Sequence, residues 1–432
     1  MPSSGRKFLA WVRLLPVLLV LFVLVFVALQ QIYTHTGGKF TLPWDESYIN
    51  VATGKNLGFF GVWGLSKYSF QAAASSLAYP ILLAPIFFIA GAYLVIPIII
   101  NAIATILLLK VLQSKLTQRG LPLAVQLAVL LLIILLTPLP FLIVSGTEYS
   151  LFLLLTALLL DASMAGKKQW LVWVYSFLLV STRLEGLLVV AVVCGLLLCR
   201  RRQAINALKI GLAAILPIIL FGLIFMSKGG TFVPTAFFRI PYPELYRSAI
   251  TGVLLIMAIM ALPLQGRRQW VAYGLIGVFA IFRTTTALQT ITAAVIDTWH
   301  QQIPPAQFVH RYYNRYGITL NQLGAVSWFS EGRKVDLTGQ ADQTLRPRKN
   351  QSNLSHMNVD SLSRELGAHI AIYTGTQPFV KPDYRWDKIA SWDVPGNIVS
   401  FYALDTTAGR ILKQHMEEYR SMLPEDVQIR YY

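Results

Sequence analysis

Long apolar runs, repeated along the first 290 residues of the chain, restrict its fold more than any other feature does. The first run, residues 8–28, is interrupted only by Arg13, and roughly 20 apolar residues cross a bilayer as a helix. Its length favours a retained span over a cleavable signal, whose apolar core is usually shorter. Similar runs follow at 77–112, 122–144, 149–163, 170–181, 184–199, 206–226, 249–264 and 271–290. We therefore predict an α-helical polytopic membrane protein with about nine to eleven transmembrane helices.

Charged residues make up only 13% of the chain, about half of their share in an ordinary soluble domain. Residues 1–299 hold 22 Lys and Arg against 7 Asp and Glu, whereas residues 300–432 hold 15 against 13. A net charge of +17 would suit a nucleic-acid partner, but most of the bases lie in short loops between apolar runs. Cytoplasmic loops of membrane proteins collect Lys and Arg in this way, so we expect no nucleic-acid partner.

The basic clusters assign a side to each loop. We place on the cytoplasmic side the clusters at residues 6–7, 110–119, 167–168, 200–202 and 267–268. The outer side then receives a first outer loop, 32–75, the turns at 145–148 and 181–186, the loop 227–247 and everything after about residue 291. This assignment requires the run 77–112 to cross the membrane an odd number of times. One span plus a re-entrant or kinked half, broken at its prolines, would satisfy this requirement.

Acidic residues of the apolar part fall almost entirely on this outer side. Only Asp161 lies near the inner face, and the six on the outer side are Asp45, Glu46, Glu148, Glu185, Glu244 and Asp297. A solvated polar rim would explain them. Acids that come from separate loops could instead line one shared cavity, and ionisable groups near membrane depth tend to be functional.

After about residue 300 the long apolar runs give way to shorter patterns. β-Branched and aromatic residues predict strands at Ile318–Phe329, Lys334–Leu337, His369–Tyr373 and Ile398–Leu404. Ser361–Leu366 and Thr407–Met422 are predicted helices. This part has no cysteine, which excludes a disulfide framework and a cysteine-based metal site there. We predict two domains, a transmembrane domain at 1–298 and an extracytoplasmic mixed α/β domain at 299–432.

Two adjacent carboxylates, Asp45 and Glu46, stand in the first outer loop at the start of a predicted helix. Capping by Asp45 and attraction of Glu46 to the helix dipole would explain them structurally. A functional interpretation makes Asp45 a general base whose proton affinity a partner carboxylate can raise. Asp45, Tyr48 and Lys55 would share one face of this helix.

Four further motifs accompany the string that runs from Asp45-Glu-Ser-Tyr-Ile to Lys55-Asn-Leu57. They are Ser145-Gly-Thr-Glu148, Thr182-Arg-Leu-Glu-Gly186, Pro234–Arg239, and Leu323–Phe329 followed by Val335–Gly339. In this order the motifs resemble those of bacterial GT-C glycosyltransferases, the polyprenyl-phosphate-sugar-dependent membrane enzymes. The most similar branch is the one that includes cell-wall arabinofuranosyltransferases and mannosyltransferase-like relatives.

The resemblance implies a reaction, its partners and a location. A sugar would pass, with inversion, from a polyprenyl-phosphate donor to a glycan, lipid or protein acceptor of the cell envelope. The chain would lie among the membrane lipids of a bacterial inner membrane, with its C-terminal domain on the periplasmic side. No cofactor is firmly implied, and Glu46 is a candidate ligand for a divalent metal ion, Mg²⁺ or Mn²⁺.

The resemblance also implies roles for individual residues. Asp45 corresponds to the base that deprotonates the acceptor hydroxyl, with Glu46 beside it. The leaving lipid phosphate gains charge and needs cations, for which the candidates are Arg183, Arg239, Lys55 and Lys228. The predicted substrate-binding set is Tyr48, Lys55, Glu148, Arg183, Glu185 and Arg239. Headgroup anchoring by the arginines and a local pair between Glu185 and Arg183 are the structural alternatives.

Departures from the family pattern keep other functions open. Ala52 and Lys55 stand where the family has arginine, residues 72–76 replace a longer segment, and Gln322 replaces an acid. The alternative is a non-catalytic envelope-assembly or transport protein on the same membrane fold. A transporter predicts two related halves, and the sequence shows no internal repeat. An acyltransferase would need a histidine in the membrane, whereas every histidine lies outside the apolar runs. The aromatic residues Trp299 and Tyr312–Tyr316 fit an interfacial belt better than a sugar contact.

Overall fold

The computed structural model describes residues 11–164, 168–199, 204–230, 232–233, 243–261, 269–337, 341, 356–375, 385–424 and 426–432. The protein is mostly helical, at 68%, and ends in a mixed sheet. The helices of the amino-terminal part are α1 (Leu15–His35), α2 (Asp45–Phe60), α3 (Ala78–Ala90), α4 (Ile96–Gln118), α5 (Leu123–Leu136), α6 (Leu139–Val144), α7 (Tyr149–Met164), α8 (Gln169–Thr182), α9 (Gly186–Leu198), α10 (Ala204–Ser227), α11 (Pro243–Ala261) and α12 (Gln269–Gln301).

Within the described residues, five helical stretches are long and apolar enough to cross a membrane. They are Leu15–His35, Ile96–Gln118, Ala204–Ser227, Pro243–Met260 and Gly277–Tyr312, and the shorter apolar helices are α3, α5, α7, α8 and α9. Large apolar side chains remain uncovered on these helices, for example Phe22 and Leu188, which are 67% and 69% exposed. Surfaces of this kind suit lipid tails rather than water. The helices indicate a membrane protein, and a total of about nine to eleven spans stays a prediction.

The structure corrects several of the predicted helix limits. The run 122–144 forms two helices, α5 and α6, because Pro138 interrupts the hydrogen-bond ladder between them. The helix α1 extends to His35 rather than ending at residue 28, whereas the start predicted at residue 8 lies outside the described residues; α12 extends to Gln301, well beyond residue 290.

The run 77–112 divides into the short helix α3 and the long helix α4, but the break does not lie at a proline: Pro80 and Pro85 lie inside α3, and Pro97 lies in the first turn of α4. Gly91, with a φ of 91°, allows the chain to turn between α3 and α4. How often this run crosses the membrane stays a prediction.

Two glycines fix the position of α2, the helix that begins with the two carboxylates. A Cβ atom at Gly58 would lie 2.4 Å from the carbonyl oxygen of Ala84 on α3, and one at Gly54 would lie 2.9 Å from the Cβ of Leu83. Glycines four residues apart share a helix face, and they let two helix backbones approach closely. The close contact with α3 therefore sets the height and rotation of α2.

The C-terminal part contains α13 (Ile303–Tyr312), β1 (Gly317–Leu320), α14 (Gly324–Phe329), β2 (Lys334–Asp336), α15 (His356–Glu365), β3 (Ala368–Thr374), β4 (Asp387–Val394), β5 (Asn397–Ala403), α16 (Thr406–Tyr419) and β6 (Gln428–Tyr431). The strands form one sheet in the order β2-β1-β3-β5-β4-β6. β1 is parallel to β2 and to β3, and the remaining pairs are antiparallel. Phe308 of α13 contacts Trp392 and Phe401 edge-on, with ring centroids 5.7 and 5.8 Å apart, so α13 belongs to the core of this domain.

This part confirms the predicted mixed sheet and both predicted helices, which are α15 and α16. The prediction of one strand over Ile318–Phe329 is wrong beyond Leu320, because the chain turns there and forms α14. Short apolar segments do not distinguish strand from helix by periodicity, and here packing against α2 decides the outcome. β4 and β6 were not predicted.

Candidate functional site

Asp45 is the first residue of α2 rather than its N-cap, a position that Trp44 occupies in an extended conformation. The predicted N-cap position of Asp45 is therefore wrong, whereas both carboxylates lie in the first turn of α2, where the helix dipole favours them. The Oδ1 atom of Asp45 accepts a hydrogen bond of 2.6 Å from the backbone amide of Gly324, at the start of α14. Only 8% of Asp45 is exposed. The C-terminal domain thus covers this carboxylate and orients it.

The predicted shared face of Asp45, Tyr48 and Lys55 exists, and α14 lies against it. The Tyr48 hydroxyl is 2.6 Å from Oγ1 of Thr41 and accepts from the Leu42 amide. The Lys55 ammonium donates to the carbonyl of Trp328 at 2.5 Å and lies over its ring. Burial raises the pKa of Tyr48 to about 12 and lowers the pKa of Lys55 to about 8. These contacts join α2 to its surroundings, and substrate roles for Tyr48 and Lys55 stay predictions.

A buried ion cluster occupies the other face of α2, where Glu46 points. The Arg183 guanidinium lies 3.0 Å from Glu148, 3.4 Å from Glu46 and 2.8 Å from Glu185. Arg183 is 2% exposed and Glu148 is fully buried. The structure therefore brings together three of the predicted outer-side acids around one cation, including the local pair between Arg183 and Glu185. We call Glu46, Glu148, Arg183 and Glu185 the acid cluster.

Three residues that sequence reasoning missed complete the acid cluster. Asn50, one helical turn after Glu46, donates to Glu148 at 3.0 Å, and the Ser75 hydroxyl lies 3.4 Å from the same carboxylate. The ring of Tyr149 lies 4.9 Å from the guanidinium of Arg183, a cation–π distance. The four-residue spacing from Glu46 to Asn50 was a usable signal, because such residues share a helix face. Ser75 belongs to the segment 72–76, which departs from the family pattern yet is buried.

Asn101 of α4 holds the turn that presents Glu148. Its amide nitrogen lies 2.8 Å from the Thr147 carbonyl and 3.3 Å from the carbonyls of both Leu142 and Ile143. The residue is fully buried. A single side chain thus satisfies backbone carbonyls that no regular helix pairs, which a buried turn requires. Asn101 therefore positions Glu148 without touching it.

An apolar cleft of about 250 Å³ ends at the acid cluster. Its walls are side chains of α7, α9 and α11, and Arg183 and Glu185 lie at its polar end. Leu188 and Leu254 line the cleft and are 69% and 61% exposed. The cleft is therefore open sideways, toward the region where lipid would lie. It combines an apolar groove with a charged end, which suits an amphiphilic molecule.

The other acids and candidate cations singled out in the sequence lie away from the acid cluster or outside the described residues. Glu244 is in the first turn of α11 and pairs with Arg283 of α12, so it is not in an open outer loop, and Asp297 is exposed on α12. Lys228 is exposed just after α10, and Arg239 lies outside the described residues. Asp161 is 4.0 Å from Lys115. Three of the predicted outer-side acids, Glu46, Glu148 and Glu185, thus lie around one arginine, and only Glu185 of these lines the cleft; a cavity shared by all six stays a prediction.

No protein-family model, curated protein or solved structure matches this chain in any of the three comparisons. The resemblance to GT-C glycosyltransferases therefore stays a prediction that the motifs alone support. Among the described residues, no group of three or more His, Cys, Asp or Glu is arranged to hold a metal ion. A role of Glu46 in binding Mg²⁺ or Mn²⁺ likewise stays a prediction.

Proposed function

We propose that this chain is a membrane glycosyltransferase that transfers a sugar from a polyprenyl-phosphate donor to a cell-envelope acceptor. The observation that carries this proposal is the laterally open apolar cleft that ends at the acid cluster. An isoprenoid chain is long and apolar and carries its phosphate and sugar at one end. A donor in the cleft would therefore place its sugar beside Arg183 and Glu185.

The proposed chemistry is a single displacement. The acceptor hydroxyl oxygen bonds to the anomeric carbon while the bond from that carbon to the lipid phosphate breaks, which inverts the configuration. Asp45 takes the hydroxyl proton, and polyprenyl phosphate leaves. Asp45 is not among the residues that line the cleft, so the proposal requires the sugar and the acceptor to extend past the acid cluster to reach it. Carboxylate bases act at about 2.6–3.2 Å from the proton donor. The amide of Gly324 holds one oxygen of Asp45, so the orientation of the base depends on the C-terminal domain.

Arg183 contacts carboxylates of the protein, so its proposed role differs from that of a free cation that binds the phosphate. Three carboxylates lie within 3.4 Å of its guanidinium, and these more than compensate its single positive charge. We propose that it holds Glu46, Glu148 and Glu185 in place at the end of the cleft, because all three of its nitrogens already donate to these carboxylates; contact with the leaving phosphate stays a prediction. The orientation of the membrane follows the basic loops, with the acid cluster and the C-terminal domain on the periplasmic side of a bacterial inner membrane.

The test is a transfer assay with purified protein in lipid nanodiscs. The protein is incubated with a panel of polyprenyl-phosphate pentoses and hexoses and with cell-envelope glycans, and released polyprenyl phosphate is measured by mass spectrometry. We expect release with one donor class, and a loss of about 100-fold or more in Asp45→Asn, the usual size of a general-base effect. Asp297→Asn is the matched control, because Asp297 is an exposed acid on the same part of the chain.

Two results would overturn the proposal. Full transfer by a folded Asp45→Asn protein would exclude Asp45 as the base. The absence of release from every donor in the panel would favour the alternative, a non-catalytic envelope-assembly protein or a transport protein built on the same helices.

A further inference from the structure

A second cleft, of about 540 Å³, lies on the C-terminal domain away from the acid cluster. It is formed by the end of α13, the start of β3 and the first turns of α16, and its wall includes three tyrosines and two histidines. His369 lies at the amino end of β3, whereas Thr374 at the other end bonds Asn321, three residues before Gly324. Five strand residues span about 17 Å. The cleft is therefore separate from the region of Asp45.

Fixed aromatic rings shape this cleft. Tyr312 and His415 stack with centroids 4.3 Å apart and 19° between their planes. The Tyr313 hydroxyl is 3.2 Å from Nδ1 of His415, and Tyr316 contacts His369 edge-on at 5.2 Å. Tyr316 is 51% exposed. Rings held in this way cost little entropy on binding, and half-exposed tyrosines offer a ligand both an apolar face and a polar hydroxyl.

The charge of the cleft selects the class of ligand. Asp405 is the acidic residue among the nine that line the cleft, and it accepts a hydrogen bond of 2.7 Å from the Ala408 amide as the N-cap of α16. Burial lowers the pKa of His415, which keeps its ring neutral. No lysine or arginine lines the cleft; Arg311, whose guanidinium lies 5.7 Å from the centroid of the Tyr312 ring, is not among the lining residues. The wall therefore offers no cation to pair with a phosphate or a carboxylate. The remaining polar atoms are hydroxyls and ring nitrogens, which suit the hydroxyls of an uncharged ligand.

We infer that this cleft binds a neutral carbohydrate chain, with Tyr316 and Tyr312 as stacking surfaces and with Asp405 and His369 as hydroxyl partners. An interfacial belt was the sequence-based interpretation of these tyrosines. The rings of Tyr312 and Tyr313 instead contact α16 of the sheet domain, which builds a concave surface rather than a flat anchor. Binding here does not require that the chain be an enzyme. If the proposed transfer is correct, the cleft holds a distal part of a glycan acceptor.

The test is binding of neutral linear oligosaccharides, pentose and hexose, to the full-length protein in nanodiscs, measured by saturation-transfer NMR and calorimetry. We expect at least one series to bind, and Tyr316→Ala to weaken it about tenfold, a change of about 1.4 kcal/mol. His369→Ala, at a second exposed position, should act in the same direction. Tyr432→Ala is the matched control, since Tyr432 is 65% exposed on the same domain but outside the cleft.

The outcomes separate this inference from the proposed enzymatic function. Asp45→Asn should abolish transfer and leave oligosaccharide binding unchanged. The inference is overturned if no neutral oligosaccharide binds, or if Tyr316→Ala and His369→Ala both bind like the unmodified protein. It is also overturned if anionic lipid vesicles, rather than oligosaccharides, compete for these residues.

Discussion

Replacement of Arg183 by methionine tests the physical basis of the acid cluster. The guanidinium lies within 3.4 Å of the carboxylates of Glu46, Glu148 and Glu185. Methionine keeps most of the apolar volume but removes the charge and its hydrogen bonds. Breaking a buried ion pair by removal of one partner costs about 3–5 kcal/mol, because an uncompensated charge stays buried. We expect Arg183→Met to lower the free energy of unfolding by about this amount.

The burial of each carboxylate determines how much it contributes to the stability lost in Arg183→Met. The side chains of Glu148 and Glu46 are 0% and 7% exposed, whereas that of Glu185 is 24% exposed and can turn toward solvent. Most of the cost therefore arises from Glu148, which also keeps its bond from Asn50. The double variant Arg183→Met/Glu148→Gln removes one charge of each sign, and it should recover part of the lost stability.

Unfolding can be followed by tryptophan fluorescence during titration with dodecyl sulfate in mixed micelles. The control is Lys67→Met, which breaks an ion pair with Glu331 whose side chains are 27% and 39% exposed, and such pairs contribute little to stability. If Arg183→Met unfolds at the same detergent fraction as the unmodified protein, the acid cluster is not a buried ion-pair network. If the double variant is less stable than Arg183→Met, Glu148 does not carry the uncompensated charge.

Three further perturbations test the contacts around the site. Gly324→Ala would place a Cβ atom 2.2 Å from the carbonyl oxygen of Asp45. This substitution should lower the free energy of unfolding by about 1–3 kcal/mol and speed hydrogen exchange in α14. Unchanged exchange would contradict the close packing. Asn101→Leu should cost about 2 kcal/mol, because it removes the donor to the buried carbonyl of Thr147. The same detergent titration measures the loss, and an unchanged midpoint would show that Asn101 does not hold the turn. Burial lowers the pKa of Lys55 from 10.5 to about 8, so the unfolded chain binds more protons than the folded protein between these pH values. The free energy of unfolding should therefore rise by about 3 kcal/mol as the pH increases through this window. The Lys55→Met variant should lack this contribution to the rise in stability. An identical dependence of stability on pH in the two proteins would show that the pKa of Lys55 is not lowered.

The sequence predicted the class of this fold well because hydrophobic periodicity is a local property. Continuous apolar runs indicated the helices, and the change of pattern near residue 300 indicated the sheet domain. Helix limits were less predictable, since a proline such as Pro138 can either kink a helix or end it. The strand predicted over Ile318–Phe329 was wrong beyond Leu320, where a short apolar segment became helical by packing against α2.

Grouping the acids by their predicted side identified part of the acid cluster. Glu46, Glu148 and Glu185 were assigned to one side, and in the structure their carboxylates surround Arg183; the side of the membrane and the roles of these residues stay predictions. The partners Ser75 and Asn101 gave no comparable signal, because their contacts join segments that are far apart in the chain. No periodicity or charge pattern relates such segments.

Asp45 and Glu46 are adjacent in the chain, but their carboxylates contact different parts of the structure. Consecutive residues of a helix point about 100° apart, so two neighbouring acids have different surroundings. Glu46 contacts Arg183, whereas Asp45 accepts from the amide of Gly324. An effect of Glu46 on the proton affinity of Asp45 stays a prediction. The proposed base Asp45 is oriented by the C-terminal domain and the acid cluster is held by the helical bundle, so the two must stay in register; the glycine contacts between α2 and α3 maintain that register.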